Sequence, residues 1–345
     1  MDSDIFLILL QDGITSGAIY ALLALALVLV FSVTRIIFIP QGEFVAFGAL
    51  SLAALQGGRL PATLWLLAGM GVVVAALESV RRWREADYDG FRSMLAWNLG
   101  YPALLTGLAL LIDLKSLPMA GQIALTLAIL VPLGPMVYRL AYQPLAESSV
   151  LVLLIASVAV HMILSGLGLV FFGAEGARTA PFSEGSLSLG SLSVGFQTLW
   201  VIACAGLFIA GLYLFFSRSL YGKALKATAV NQAGAKLMGI SPVVAGKLTL
   251  LLAALIGSLS GILIGPVTTL YYDTGFLIGL KGFVAAIIGG LASFPLAALG
   301  ALLVGLLESF SSFWASAFKD MLVFTLIIPV LLWRSLRNSH GENEE

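Results

Sequence analysis

Apolar stretches about the length of a membrane crossing follow one another along nearly the whole chain. This spacing constrains the fold more than any motif. The runs are 5–31, 42–56, 61–80, 93–112, 119–142, 149–173, 197–216, 244–265, 281–292, 296–314 and 318–333. A hydrocarbon core of about 30 Å takes roughly 20 residues of helix. Backbone polar groups find no partner in lipid, so helices are the economical way across. The expected fold is therefore all-α: a polytopic membrane protein with about 10–11 transmembrane or partly re-entrant helices. Composition agrees, because only 10% of the 345 residues are charged, against about 25% in soluble domains. The runs 42–56, 281–292 and 318–333 are short for a full crossing. Broken helices are tolerated at membrane depth where they line a cavity, so the short runs are the natural places to look for a pathway.

Charge sets the expected orientation. Eleven crossings place the termini on opposite sides. With the C-terminus cytoplasmic, Arg59, Lys115, Arg178, Lys281 and Lys319 face out, and the other 13 of the 18 basic residues face in. Cytoplasmic loops carry the excess of Lys and Arg, so the N-terminus is expected outside. Formal net charge is zero, which gives no electrostatic footprint for nucleic acid. The single cysteine, Cys204, excludes an internal disulfide and a cysteine-based metal site, and no metal or cofactor is expected. The segments read as one transmembrane domain, 1–333, with a charged hairpin at 78–92, an external loop rich in Gly and Ser at 174–196, a cytoplasmic segment at 217–243, and a cytoplasmic tail, 334–345, expected to be disordered.

The segment 217–243 is the most informative. Ala, Leu and Lys dominate it and favour helix. Asn231 can cap a short helix beginning at Gln232, Gly239 suits the left-handed residue that ends it, and Ser241-Pro242 offers a cap and first-turn proline for the next helix. This predicts a short surface helix that exposes Ala233, Gly234 and Ala235. The alternative is an ordinary loop with a helical turn.

Ala233-Gly234-Ala235 through Gly239 is similar to the loop signature of ABC-importer permeases. The wider stretch Gly222-Lys223-Ala224-Leu225-Lys226-Ala227 resembles the branched-chain amino acid permease family. So do Gly17-Ala18-Ile19-Tyr20-Ala21-Leu22, Gly42-Glu43-Phe44, Arg139-Leu140-Ala141-Tyr142-Gln143-Pro144-Leu145 and Lys281-Gly282-Phe283 through Leu291, in family order. The resemblance implies an importer of two permease subunits, a paralogous one beside this chain, with two P-loop ATPases and an external solute-binding protein in a bacterial inner membrane. It assigns Gly222, Lys223, Ala233, Gly234, Ala235 and Gly239 to ATPase coupling. The cargo it implies is a branched-chain or related amino acid, or a small polar solute such as urea or an amide. The chain would be a transport subunit and not an enzyme. No G-x-x-x-x-G-K-[ST] occurs, so ATP would have to bind a partner. Where the family has Asn-Phe-Ala-His before Gly-Glu, this chain has Phe38-Ile39-Pro40-Gln41. Residues 78–118 look like an insertion.

Gln41, Gly42 and Glu43 open a short membrane segment and are the pathway candidates, because intramembrane ionisable groups are costly and usually functional. The alternative is a solvated Glu43 at the interface. Gly13 and Gly17, and Gly257, Gly261 and Gly265, recur every fourth residue and read as close-packing helix faces. Lys281 is expected to snorkel outward, and Glu308 to lie at the interface. His161 stands one turn from Ser157 and Ser165, a pattern that invites a hydrolase reading, but no carboxylate lies nearby in sequence to orient it. A stand-alone secondary transporter or channel is the main alternative, with an intramembrane hydrolase behind it.

Overall fold

The computed structural model describes residues 3–85, 89–189 and 192–339. Of the tail expected to be disordered, residues 334–339 are instead the end of a helix, and 340–345 lie outside this set. Among the described residues, eight helices are long and apolar enough to cross a bilayer. They are α1 (Ser3–Thr34), α3 (Thr63–Glu85), α4 (Phe91–Leu111), α5 (Met119–Leu145), α6 (Val150–Phe172), α7 (Phe196–Arg218), α10 (Pro242–Ile264) and α12 (Phe294–Trp314). The short runs become α2 (Gln41–Gln56), α11 (Thr274–Ile288) and the pair α13 (Lys319–Thr325) and α14 (Ile327–Ser339). The break between α13 and α14 falls at Leu326, three residues before Pro329, which has no N–H to give back to Thr325. The expected all-α membrane architecture is thus the observed one.

α1 is apolar on every side, so it cannot face water or a single partner. It forms the centre, and its residues from Ile19 to Val30 are almost fully buried. α12, α10 and α11 surround it and make its most extensive contacts. Gly13 lies against Leu306 and Gly305 of α12, and Gly17 against Leu302. On α10, Gly257 meets Gln41 and Phe44, Gly261 meets Val45, and Gly265 meets Thr179. The outer helices α4, α6 and α7 turn large apolar side chains outward, among them Leu104, Leu111, Met162 and Leu207, as a lipid-facing surface would.

The loop 174–196 holds a hairpin that the Gly/Ser-rich sequence did not announce. Strands β1 (Ser186–Leu189) and β2 (Leu192–Gly195) pair antiparallel, with Leu187 opposite Val194. The loop is tied over the end of α10 by an antiparallel bridge between Ala177 and Leu270 and by Arg178 Nε, which donates to the Pro266 carbonyl at 2.9 Å.

Candidate functional site

The chain leaves α1 through Arg35, a non-glycine residue with φ of 60°, and runs without helix until Pro40 caps α2. α2 therefore starts inside the protein and not at its edge. The Gln41 amide Nε2 donates to the Ala253 carbonyl at 3.0 Å. Ala253 lies about 16 Å from the start of α10 at 1.5 Å per residue, near the middle of a core of about 30 Å. α11 begins at the same depth. Gly42 lies against Gly275 and Gly279, and Gly275 against Ala46, so partners descend along α11 as they ascend along α2. The two first turns thus cross antiparallel, each with free N–H groups and a positive dipole end.

A polar cluster gathers at this crossing. Glu43 is 1% exposed, which overturns the solvated-interface alternative. Its Oε1 lies 2.6 Å from His161 Nδ1 on α6. With the carboxylate ionised, Nδ1 carries the proton and donates. The His161 ring stacks on Phe276, in the first turn of α11, at 4.3 Å between centroids. Each half-helix thus supplies one contact to the imidazole. Nearby, the Tyr142 hydroxyl and Ser157 Oγ share a hydrogen bond at 3.0 Å. Glu43 Oε2 and Gln41 Oε1 are buried acceptors with no protein partner, a costly arrangement that asks for a ligand or a role. On the same wall lies an apolar cavity of about 160 Å³, lined by Leu27, Phe38, Leu154, Gly279 and Phe283 among others.

The carboxylate that orients His161 comes from 118 residues away, so no local spacing in sequence revealed it. It does not rescue the hydrolase reading, because the Ser157 hydroxyl is engaged with Tyr142 and not with His161.

A second cluster corrects one expectation. Lys281 does not snorkel outward. The helix begins at Thr274 rather than 281, which puts Lys281 mid-helix and 6% exposed. Its Nζ pairs with Glu308 at 2.5 Å and Asp320 at 2.9 Å. Glu308 is half-buried, lines an open pocket with Asp12 and Ser16, and accepts from the Tyr20 hydroxyl at 2.5 Å. Two carboxylates compensate the ammonium, and this makes its burial tolerable.

The segment 217–243 folds as two short helices. Ser219 caps α8 (Leu220–Val230), its Oγ accepting from Gly222 N at 2.9 Å. Asn231 caps α9 (Gln232–Leu237), its Oδ1 accepting from Gly234 N at 2.9 Å. Gly239 has φ of 83°, and the Ile240 N–H donates to the Ala235 carbonyl at 3.0 Å, a left-handed helix stop. Ala233 is exposed and Gly234 half-buried, but Ala235 is buried, against expectation, because it faces inward under its own turn. The exposed face is carried instead by Leu237, Met238 and Val230, each more than 80% exposed. Lys223 is exposed, while Gly222 is buried against the Phe215 and Phe216 backbone at the end of α7. That contact makes Gly222 a packing position.

Residues 93–331 match the family described as branched-chain amino acid transport system, permease component. The chain is similar to the high-affinity branched-chain amino acid transport system permease protein BraD of Pseudomonas aeruginosa, 25% identical over 94% of this chain and 92% of the relative. It is similar to LivH, the corresponding permease protein, of Salmonella typhimurium, at 26% identity over 96% of this chain and 95% of the relative, and of Escherichia coli, at 25% over 96% and 95%. No solved structure matches the chain.

Proposed function

The chain belongs to the branched-chain amino acid transport permease family, and from that premise we propose that it is one permease subunit of an ATP-binding-cassette importer. The cargo is a branched-chain or related amino acid, or a similar small polar solute such as urea or an amide, carried into the cytoplasm of a bacterium across its inner membrane. The N-terminus lies outside and the C-terminus inside. A paralogous permease subunit, two P-loop ATPases and an external solute-binding protein complete the assembly. Residues 78–118 are an insertion in the single domain 1–333.

One observation carries the pathway assignment: a buried polar cluster at the crossing of two half-helix starts, midway through the membrane. The chemistry suits a zwitterion with an apolar side chain. Glu43 Oε2 and Gln41 Oε1 offer acceptors to an ammonium group. The first turns of α2 and α11 offer N–H groups and positive dipole ends to a carboxylate, as broken membrane helices do in other transporters. The apolar cavity beside them suits the side chain. Gln41, Gly42 and Glu43 are the pathway residues in this reading, with His161 holding Glu43 in place. Coupling runs through α8 and α9, whose exposed Ala233, Leu237 and Met238 would dock into the ATPase.

The test is Glu43→Gln in the reconstituted complex, which removes the charge and keeps the shape. Uptake of labelled leucine should fall while the subunits still co-purify. Unchanged uptake across substrate concentrations would remove Glu43 from the pathway.

A further inference from the structure

A cavity of about 360 Å³ with both polar and apolar walls opens between α3, α4, α5 and α10, at the end of the bundle that carries α8 and α9. Three cations line it, Arg82, Arg139 and Lys247, against one carboxylate, Glu78. Glu78 is already occupied: Arg139 reaches its Oε1 at 2.6 Å, and Arg81 lies 3.2 Å from its Oε2. Lys247 makes no hydrogen bond or ion pair among the described residues. Arg82 donates to the Asp89 carbonyl, while its Nε is buried without a partner. Among the described residues that line the cavity, cations therefore outnumber carboxylates three to one. Lys247 lies about 8 Å into α10 at 1.5 Å per residue, the depth at which a lysine reaches the headgroup layer. Trp97 on the wall is the residue type favoured at that level.

A second groove, of about 320 Å³, shares Pro135 and Lys247 with the first as lining residues. Its other walls are apolar: Phe215 of α7, Tyr221 of α8, and Val244, Leu248 and Leu251 of α10. A free anion would satisfy the first space and leave the second bare. A ligand with an anionic head and an apolar tail fits both.

We propose that the cavity and groove bind one anionic phospholipid, with its phosphate at Arg82, Arg139 and Lys247 and an acyl chain laid along α10 against Tyr221. Basic pockets between membrane helices are known to take such headgroups. The lipid then bridges the 78–118 region and the first helix of the coupling segment, two parts with no other shared ligand in view.

The experiment is native mass spectrometry of the full-length chain in detergent with added phosphatidylglycerol, phosphatidylcholine or inorganic phosphate. Wild type should retain phosphatidylglycerol over phosphatidylcholine, and excess inorganic phosphate should not release it. Arg82→Gln with Lys247→Gln should weaken retention by about tenfold or more, the effect of two basic groups beside an anionic headgroup. Lys247→Arg alone, which keeps the charge, should retain the lipid and shows that the site tolerates substitution. Arg84→Gln with Arg92→Gln removes the same charge from exposed positions outside the cavity and should leave retention unchanged. Equal retention of both lipids, undiminished phosphatidylglycerol on the cavity variant, or equal loss on the exposed-charge variant would overturn the site. Release by inorganic phosphate would overturn the lipid as its occupant.

Discussion

Gly42→Ala tests whether the crossing of α2 and α11 is the geometric centre of the permease. An added Cβ would fall 2.6 Å from the Gly275 carbonyl carbon and closer still to its oxygen. Carbon atoms are comfortable at 3.5–4.0 Å, so the two first turns must part by about 1 Å. The clash is with backbone, so no rotamer change relieves it. Overpacking of this kind costs about 1–3 kcal/mol, and the helix-propensity gain of alanine offsets at most about 1 kcal/mol. A net loss of about 2 kcal/mol is a roughly thirtyfold fall in the folded-to-unfolded ratio. Gly275→Ala meets the Gly42 backbone reciprocally and should cost a similar amount. The double variant should cost clearly less than the sum, because helices already parted for one methyl have room for the second. Gly69→Ala on α3, where no atom lies within 4 Å, is the control and should be neutral or mildly stabilising. SDS titration in mixed micelles, followed by circular dichroism, reads all four. The reasoning fails if Gly42→Ala unfolds at the same SDS fraction as Gly69→Ala, or if the two crossing variants add fully.

Gly239→Val should leave membrane insertion intact and lower binding-protein-stimulated ATP hydrolysis in the reconstituted complex, because a β-branched residue does not tolerate the φ of 83° there; Gly239→Asn should be milder, and equal stimulation in wild type and Gly239→Val would refute the coupling role. In a Cys204→Ala background, Ser186→Cys should react with an impermeant thiol reagent in intact cells and Gln232→Cys should not. Gln232 is exposed at the start of α9, and the reverse labelling pattern would invert the orientation.

The parts of the fold that were legible in the sequence are those where local chemistry decides. Asn231, Gly239 and Pro242 each act within a turn of themselves, so the boundaries of α9 and the start of α10 could be read directly, although Ser241 holds the cap position without a side-chain cap bond. The long apolar runs likewise needed only a count. The misreadings arose where a distant partner changes the meaning of a residue. Lys281 looked like an outer anchor because no carboxylate lies near it in sequence, but Glu308 and Asp320 arrive from α12 and the start of α13. His161 looked isolated because Glu43 lies 118 residues away. Gln41 stands where the resembling family carries histidine, and here an imidazole reaches Glu43 from α6 instead. Burial of Ala235 depended on which way a six-residue helix rolls, which its sequence alone leaves open.

The arrangement of α10 explains how a loop at one membrane face could act on a site at the middle. α9 runs through Gly239 and Ser241 directly into α10, so α10 is the element that a displaced loop would tilt. Gly257 and Gly261 bring the α10 backbone against Gln41, Phe44 and Val45, and the Gln41 amide holds the Ala253 carbonyl. Backbone-to-backbone packing of this kind has little soft side chain to absorb a movement, and dense interiors transmit strain rather than dissipate it. In this reading α2 follows α10 nearly as a rigid body. The crossing with α11 lies on the far side of α2 from α10, and α11 is fixed to α12 through the Lys281–Glu308 pair. In this reading a tilt of α10 is passed by α2 to its crossing with α11 at Gly42 and Gly275, which is packed backbone to backbone as closely as the contact with α10. Glu43, carried by α2, would move relative to Phe276, carried by α11, and His161 between them would lose one contact or the other. Two states that differ in which contact survives give an ATPase differential contacts on which to act, and a ligand can shift an equilibrium only through such differences.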